Sequence, residues 1–421
     1  MNQKMIDVQV FNLGCFLQDQ LLPKQLKKLR QHNLVQLYIE AAVIYCYRWS
    51  TWLNPSFAEA HYRLARLFQK QKKWQKAATA FEQATKSGCS KLADAHCNLG
   101  RVLFKLERYE ESIVALNKAI ELAPEEYWYY RILGDVWSEK GGLAEGIKNY
   151  QIASQKQIRN THPHVMLKLP TEQHLSAPNF IIIGQPKCGT SSLYSYLTQH
   201  PQILPAIEKE IRFWSFKPNF EKGLDWYLAH FPAIASEQGL ITGEATPGYL
   251  DSPPAADSLL QEFPHMKLIV VLRNPVDRAL SHYYMCTRQS RDKRSLEKAI
   301  LSGIKDVNNK SYLNLFNNCK ISSYLKRSQY IENLSRWMEL FSKEQFLIIK
   351  SEDLFAEPAT IINQVFNFLG VEPYELQVYS NKTKNSYPPI SPSMRQTLND
   401  YFRPFNQQLE EYLDRKFDWD C

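Results

Sequence analysis

One short stretch of the sequence combines residue types that can bind an anion. Residues 179–201 read NFIIIGQPKCGTSSLYSYLTQHP, a β-branched run followed by a loop that carries Lys187, Gly189 and Thr190. A helical pattern begins at Leu193. Successive backbone N–H groups at such a strand-to-helix turn form an anion cradle, and the positive end of the helix dipole adds to it. The stretch therefore predicts a site for a phosphate-like group.

This loop differs from the nucleotide-binding loop G-x-x-x-x-G-K-[ST] in the position of its cation. Gly184 and Gly189 keep the glycine spacing, but Thr190 occupies the lysine position and Lys187 lies inside the loop. A second apolar run, LIVVLRNP, ends in Arg273, where a magnesium-binding strand would carry aspartate. These residues predict anion binding by protein cations without a metal, and they argue against a nucleotide kinase.

The elements that position these residues belong to an α/β pattern. From Asn179 onward the short apolar runs FIIIG, GLITGE, MKLIVVLR and QFLIIKSED alternate with helical stretches. Such alternation is typical of a mainly parallel sheet covered by helices. We therefore expect an α/β domain over residues 179–421.

The first third of the chain repeats itself. Leu64, Leu99 and Leu133 superpose at steps of about 34 residues, the period of tetratricopeptide helix pairs, with the small residues Gly100 and Gly134 at the helix contacts. We expect a helical region with a degenerate repeat over 1–54, tetratricopeptide repeats over 55–157 and a solvated linker over 158–178. Stacked repeats form a groove that commonly holds a protein partner; alternatively, the array only supports the next domain.

Composition sets broad limits on location and ligands. The chain has 421 residues, 44% hydrophobic, and a net charge of +8, which favours anionic ligands. Its eight cysteines form no C-x-x-C pair and have no zinc-ligand spacing, so we expect a reducing compartment. The N-terminus lacks a signal-peptide core, and the most apolar helix, NLVQLYIEAAVIYCYRW, is short for a membrane span. We expect a cytoplasmic protein without a membrane span.

Several ordered motifs resemble one enzyme family. QPKCGTSSL resembles the 5′-phosphosulfate loop of sulfotransferases that use 3′-phosphoadenosine 5′-phosphosulfate (PAPS), and VLRNPVDRALSHYY resembles their 3′-phosphate motif. KEIRFWSFKPNFEKGLDWYLAHFP is similar to the segment after the loop in heparan sulfate N- and 3-O-sulfotransferases. The resemblance covers residues 179–420 and implies a P-loop-like sulfotransferase fold. The tandem with tetratricopeptide repeats resembles bacterial, especially cyanobacterial, sulfotransferases.

The resemblance also implies roles for individual residues. Lys187 would contact the sulfate and the bridging oxygen, Arg273 and Ser281 would hold the 3′-phosphate, and Tyr387, with Lys384, would contact the nucleotide. Cys188 is expected to be a small residue of the cofactor site and not a nucleophile. The 5′-phosphate would be held by the N–H and hydroxyl groups of the loop and first helical turn: Gly189, Thr190, Ser191 and Ser192.

The resemblance makes Glu210 the candidate general base, with His282 as the next residue to test. Alternatively, Glu210 forms an ion pair with Lys209 and Arg212. In the motif GEATPGYL, Ala245 occupies a position where the heparan sulfate enzymes have lysine, which leaves open whether another cation replaces it.

Other cations near the 3′-phosphate motif have more than one possible role. Arg278, five residues after Arg273, either contributes to the 3′-phosphate site or instead pairs with Asp277 or Glu262. The basic run CTRQSRDKRSLEK either steers an anionic glycan or forms a solvated helix face.

The leading functional hypothesis is a PAPS-dependent sulfotransferase that acts on a carbohydrate, with a glycan or other anionic acceptor as partner and no nucleic acid. The alternatives are a protein tyrosine sulfotransferase whose repeats present the polypeptide, and a repeat scaffold with an inactive nucleotide domain.

Overall fold

The computed structural model describes residues 3–21, 33–170, 174–234, 239–306, 323–380 and 387–419. The chain divides into two compact units, Met1–Lys156 and Gln157–Cys421.

The first unit consists of helices arranged in consecutive pairs. Gly100 approaches its partner helix so closely that a Cβ atom there would lie 2.6 Å from Leu116 Cγ, and at Gly134 it would lie 2.5 Å from Tyr150 Cε1. This close approach explains the small residues at the repeat positions. The helices span Gln3–Phe16, Asn33–Leu53, Ala58–Lys70, Trp74–Lys86, Leu92–Lys105, Tyr109–Leu122, Tyr127–Lys140 and Leu143–Thr161, with a π-helix at Leu17–Leu21. The prediction of a helical repeat array is confirmed.

A five-stranded sheet forms the centre of the second unit. Its strand order is β2-β3-β1-β4-β5, and every neighbouring pair is parallel. All residues of the central strand β1 are buried, as expected of a parallel sheet covered on both faces. The strands are β1 (Phe180–Gly184), β2 (Ile203–Pro205), β3 (Ile241–Ala245), β4 (Lys267–Leu272) and β5 (Phe346–Lys350). The predicted α/β fold is confirmed.

Helices connect the strands and cover both faces of the sheet. They span Thr190–Leu197, Lys217–Phe220, Leu224–Leu228, Pro253–Glu262, Pro275–Arg288, Leu296–Asp306, Ser323–Lys326, Tyr330–Leu340, Ser351–Ala356, Pro358–Leu369 and Pro392–Leu413, with 3-10 helices at Pro163–Lys168 and Lys343–Gln345. The first of these helices begins at Thr190, three residues before the expected Leu193, because Gly189 adopts a left-handed φ of 101° at the N-cap.

The segment expected to be a solvated linker contains packed residues. Ile158 and Val165 are buried in a small cluster with Leu204 and Leu240 of the second unit. The part of 158–178 around the 3-10 helix therefore contributes to the core beside β2. The periodic pattern did not reveal this because the apolar side chains involved, Ile158, Val165, Met166 and Leu169, are few and irregularly spaced.

The strand order places the loop after β1 at a favourable ligand position. From β1 the chain runs to β2 and β3 on one side, and then crosses to β4 on the other. In open parallel sheets, ligands bind at the carboxyl ends of the strands where the connections diverge in this way. The residues that follow β1 and β4 lie at this point.

Candidate functional site

The loop after β1 is anchored by a residue that the motif comparison missed. Gln185 is 1% exposed, and its side-chain Nε2 donates to Asp251 Oδ1 at 2.7 Å and to the Arg327 carbonyl at 2.6 Å. Its backbone N–H donates to the Val271 carbonyl on β4 at 2.9 Å. These bonds join the loop to three neighbouring segments and fix where its cation can lie.

Lys187 is a half-buried cation surrounded by other cations. Its Nζ lies 3.6 Å from Met285 Sδ. Burial lowers the pKa of Lys187, and Arg288, Arg273 and Arg278 lower it further. Among the described residues, no carboxylate forms an ion pair with Lys187. Concentrating positive charge without a local counterion creates a site for an anion.

The residues around the start of the helix Thr190–Leu197 differ in how far their side chains are buried. Cys188 is fully buried, its N–H donates to the Gln185 carbonyl at 3.2 Å, and burial raises the pKa of its thiol to about 12. Thr190 and Ser192 are buried, whereas Ser191 is half-buried. The Cys188 side chain thus packs in the core, which agrees with a small loop residue and not with a nucleophile.

Arg273 directly follows β4 and lies next to the loop. One guanidinium nitrogen is 3.5 Å from the Lys187 carbonyl, and the other is 3.3 Å from the Tyr387 hydroxyl. The Tyr330 hydroxyl donates to the Arg273 carbonyl at 2.8 Å and holds the backbone. As for Lys187, none of the described carboxylates lies within ion-pair distance of Arg273.

Tyr387 packs against the helix Pro275–Arg288 next to Arg273. The Tyr387 hydroxyl lies 3.5 Å from the Asp277 carbonyl, and its ring stacks on Tyr284 with centroids 5.0 Å apart. Ser281 lies four residues after Asp277 and three before Tyr284, so the three share one face of the helix. The fold therefore brings Arg273 and Tyr387 together and places Ser281 on the same helix face as Tyr284. Lys384 lies outside the described residues.

The expected pairing of Arg278 with Asp277 or Glu262 is wrong. Arg278 is fully buried and donates to Ser328 Oγ at 2.6 Å, to the Tyr324 carbonyl at 2.5 Å and to the Pro186 carbonyl at 3.4 Å. Asp277 instead pairs with Arg395 at 2.6 Å. The bond to the Pro186 carbonyl connects the buried Arg278 to the loop that carries Lys187.

Glu210 lies between two cations. Its carboxylate oxygens are 3.1 Å from Lys209 Nζ and 3.2 Å from an Arg212 guanidinium nitrogen, and its side chain is 40% exposed. Burial raises its pKa, but the two cations outweigh that effect, so the pKa of Glu210 lies below its ordinary value. The ion pairs foreseen as the alternative are therefore present. They also keep an accessible carboxylate ionised at neutral pH.

A second carboxylate, Glu244 at the end of β3, organises the backbone around Glu210. It is fully buried and accepts hydrogen bonds from the Tyr227 and Tyr249 hydroxyls at 2.9 Å each and from Thr246 Oγ1 at 2.5 Å. Thr246 Oγ1 in turn accepts from the Arg212 N–H at 3.3 Å. Burial raises the pKa of Glu244 to about 7, although these hydrogen bonds oppose the shift. The sequence analysis missed Glu244 because only its burial distinguishes it from a surface carboxylate.

Lys209 lies beside the position where the resemblance leads one to expect a lysine. The Ala245 N–H donates to the Lys209 carbonyl at 3.1 Å, and Ala245 itself is fully buried. The Lys209 ammonium meets Glu210, and burial lowers the pKa of Lys209 despite that pairing. A cation is thus attached to the end of β3 by backbone, although residue 245 carries none.

Two further expectations concern the neighbouring helix. His282 is 2% exposed and packs edge-on against Tyr324 with centroids 4.9 Å apart, so it is less accessible than Glu210. In the basic run, Arg294 pairs with the buried Asp292 at 3.1 Å, whereas Arg288 is exposed. Arg294 therefore has a structural role. Arg288 is a surface cation that lies close enough to Lys187 to lower the pKa of that lysine.

The described residues contain no group of three or more His, Cys, Asp or Glu side chains arranged to hold a metal ion. None of their helices combines the length and the apolar character needed to cross a bilayer.

Two parts of the chain match known protein families. Residues 177–407 match the sulfotransferase domain family, and residues 54–127 match the tetratricopeptide repeat family. Mouse heparan sulfate glucosamine 3-O-sulfotransferase 5 is 28% identical, over 58% of this chain and 74% of that enzyme. Mouse bifunctional heparan sulfate N-deacetylase/N-sulfotransferase 4 is also 28% identical, over 60% of this chain but only 32% of that enzyme.

One solved structure supports the fold as well. The sulfotransferase from Alicyclobacillus acidocaldarius superposes with a TM-score of 0.51 at 27% identity, covering 59% of this chain and all of that one. The sulfotransferase match extends over more than half of the sequence and contains both anion motifs. The chain therefore belongs to the sulfotransferase domain family and carries tetratricopeptide repeats before that domain.

Proposed function

We propose that the second unit transfers the sulfuryl group of PAPS to a hydroxyl or amine of a carbohydrate. The observation that carries the proposal is the convergence of Lys187, Arg273 and Tyr387 at the carboxyl ends of β1 and β4. Lys187 and Arg273 have no carboxylate partner among the described residues. A co-substrate with two separated anionic groups suits such a cluster.

PAPS supplies the sulfuryl group when it is bound, and its 3′-phosphate is a second anionic group that the protein can bind. The first turn at Thr190, Ser191 and Ser192, with Gly189, would hold the 5′-phosphate through N–H and hydroxyl groups. Arg273 and Ser281 would bind the 3′-phosphate, with Arg273 forming charge-assisted hydrogen bonds. Tyr387 would orient Arg273 through its hydroxyl and contact the nucleotide. Cys188 would complete the cofactor loop by its packing.

Glu210 would act as the general base on the acceptor. The acceptor oxygen or nitrogen forms its bond to sulfur as the bond between sulfur and the phosphate oxygen breaks, and Glu210 takes the proton that the acceptor loses. Lys187 would stabilise the negative charge that develops on the departing phosphate. Lys209 supplies a further cation near Glu210, where residue 245 is alanine. Because protein cations carry these roles, we propose that no metal takes part.

The acceptor class follows from the relatives. The two mouse enzymes named above are described as acting on heparan sulfate, and one of them aligns over 74% of its length. We extend a carbohydrate acceptor, though no particular sugar, to this chain. Arg288 lies exposed near Lys187, where a positive charge attracts an anionic glycan.

The test is to incubate the full chain with PAPS labelled in its sulfate, using desulfated heparin, a tyrosine-containing acidic peptide and a fractionated cell extract as acceptors. The proposal predicts label in a product that glycan lyases or glycosidases degrade. Lys187→Ala serves as the control for nonenzymatic transfer. Label that appears only in peptide would contradict the carbohydrate acceptor. No labelled product with any acceptor, from a folded protein that consumes no PAPS, would contradict sulfuryl transfer itself.

A further inference from the structure

The first unit contains a groove whose lining is strongly basic. The groove has a volume of about 600 Å³ and is lined mainly by the first helices of successive repeats, Ala58–Lys70, Leu92–Lys105 and Tyr127–Lys140. Five cations line it, against a single carboxylate, Asp135. The cations are Arg66, Lys70, Arg101, Lys105 and Arg131.

The repeat itself generates this charge. Arg66 and Arg101 occupy equivalent positions of consecutive repeats, as do Lys70 and Lys105, 35 residues apart like Leu64 and Leu99. Within each helix the two cations are four residues apart and therefore share one face. All four are exposed, so stacking the repeats places four positive charges on one surface.

Part of this charge lacks a counterion. Lys70 pairs with Glu40 at 3.1 Å, and Arg131 pairs with Asp135 at 3.1 Å. For Arg66, Arg101 and Lys105, by contrast, no carboxylate in the described ranges lies within ion-pair distance. Like charges that line one groove repel each other, and a bound anionic group would relieve that repulsion.

Apolar surface lies among the cations. Trp74 and Phe104 are half-buried and line the groove, together with the edges of Leu67 and Ile132. A ligand that satisfies both features carries carboxylates and apolar side chains on one chain. Leu67 and Ile132 are buried, so the accessible apolar surface is that of Trp74 and Phe104, and apolar side chains of a polypeptide gain more from covering it than a fully hydroxylated glycan does. The combination favours a polypeptide.

We propose that this groove binds an acidic segment of a partner protein, with carboxylates on Arg66 and Arg101 and an apolar side chain against Trp74 and Phe104. Guanidinium groups recognise carboxylates through paired, charge-assisted hydrogen bonds. The repeats thus select a partner by negative charge as well as by shape. This assignment is independent of the reaction proposed for the second unit.

The test measures binding of a fluorescent peptide that alternates glutamate and leucine to the full chain by anisotropy. We expect the double variant Arg66→Glu/Arg101→Glu to weaken binding by about 10-fold or more, since each arginine contributes a hydrogen bond to a charged group. The control Lys76→Glu/Lys118→Glu makes the same charge change at exposed cations of the second helices and should alter binding by less than about 3-fold. Added salt should weaken wild-type binding.

The milder pair Arg66→Gln/Arg101→Gln keeps the test decisive if charge reversal disturbs folding, which circular dichroism of the helices would reveal. Equal weakening by the groove and control variants would overturn the proposal, as would a wild-type protein that does not bind the peptide. A sulfated oligosaccharide that binds in an Arg66- and Arg101-dependent manner, while the peptide does not, would also overturn it and assign the groove to a glycan.

Discussion

The two sides of the candidate site handle charge in opposite ways. The cation side is defined by Lys187, Arg273, Ser281 and Tyr387. There Arg273 contacts a backbone carbonyl and a tyrosine hydroxyl, Lys187 contacts a methionine sulfur, and neither cation has a carboxylate partner among the described residues. On the carboxylate side, defined by Lys209, Glu210, Arg212, Glu244 and Thr246, each charge has a close partner.

The difference shows what each side is built to do. Unpaired cations at strand ends are unfavourable alone, and they gain stability when an anionic ligand enters. A carboxylate flanked by cations stays ionised, which a proton acceptor needs at neutral pH, although the same pairs reduce its basicity. We therefore assign cofactor binding to the cation side and proton transfer to the carboxylate side.

The sharpest separation of the two sides comes from Glu210→Gln. The change keeps the size of the side chain but removes its ability to accept a proton, so we expect turnover to fall by roughly 10²–10⁴-fold. Binding of the product nucleotide, 3′-phosphoadenosine 5′-phosphate, should stay nearly unchanged because the cation side is untouched. Steady-state kinetics and calorimetry measure the two quantities.

The matched control is Glu221→Gln, which removes a carboxylate that pairs with Lys217 at the surface of the same unit. It should leave both quantities unchanged. A folded Glu210→Gln variant with wild-type turnover, under conditions where chemistry limits the rate, would place the base elsewhere.

Lys187→Ala should damage both functions together. Because this lysine would contact the co-substrate before and during the reaction, we expect turnover to fall by roughly 10²–10³-fold and nucleotide affinity to fall as well. The exposed Lys217→Ala is the control. Lost turnover with fully retained nucleotide affinity would show that Lys187 acts only in the transition state.

Glu244→Gln should affect stability in a pH-dependent way. The folded protein holds the proton of Glu244 up to about pH 7, whereas the unfolded chain releases it near the ordinary value of 4.5. The native state therefore binds more protons, and the contribution of Glu244 to stability is fully present below 4.5 and is lost as the pH rises through 7. The whole shift corresponds to about 3 kcal/mol.

Urea unfolding of the wild type and of Glu244→Gln at about pH 5 and about pH 8 measures this effect. The stability of the wild type relative to the variant should decrease between the two values. A difference that is constant with pH would mean that Glu244 keeps one protonation state throughout. In that case its role at the end of β3 would be hydrogen bonding alone.

Removal of divalent metals should have the smallest effect. Arg273 follows β4 where a magnesium-binding strand carries aspartate, and Thr190 occupies the lysine position of the nucleotide-hydrolase loop. We expect turnover in EDTA to equal turnover in its absence. Activity that EDTA abolishes and magnesium restores would contradict the assignment of charge stabilisation to protein cations.

The two sides also differ in how far the sequence predicts them. The loop residues and Arg273 each follow directly after an apolar run that folds as a strand of a parallel sheet. Because the carboxyl ends of parallel strands lie at the same edge of the sheet, the sequence predicts that these residues lie close together in space. Tyr387 was expected near the nucleotide only from the resemblance, and its stacking on Tyr284 requires the folded helix.

Long-range contacts account for what the sequence did not predict. Gln185 acts through partners 66 and 142 residues away, Asp251 and Arg327. Arg278 carries no local sign of burial, so a neighbouring aspartate is the natural guess for its partner. The strand Ile203–Pro205 is only three residues long, too short for a periodic pattern.

The most direct test of the account is whether Arg273 makes the protein prefer a nucleotide that carries a 3′-phosphate. Calorimetry would compare 3′-phosphoadenosine 5′-phosphate with adenosine 5′-phosphate on the wild type and on Arg273→Ala, with the exposed Arg403→Ala as control. We expect the wild type and the control to prefer the ligand with the 3′-phosphate by roughly 10- to 100-fold, and the preference to fall close to one in Arg273→Ala. Equal affinity of the wild type for the two nucleotides would contradict the assignment of PAPS as the co-substrate. An undiminished preference in Arg273→Ala would contradict the role of Arg273.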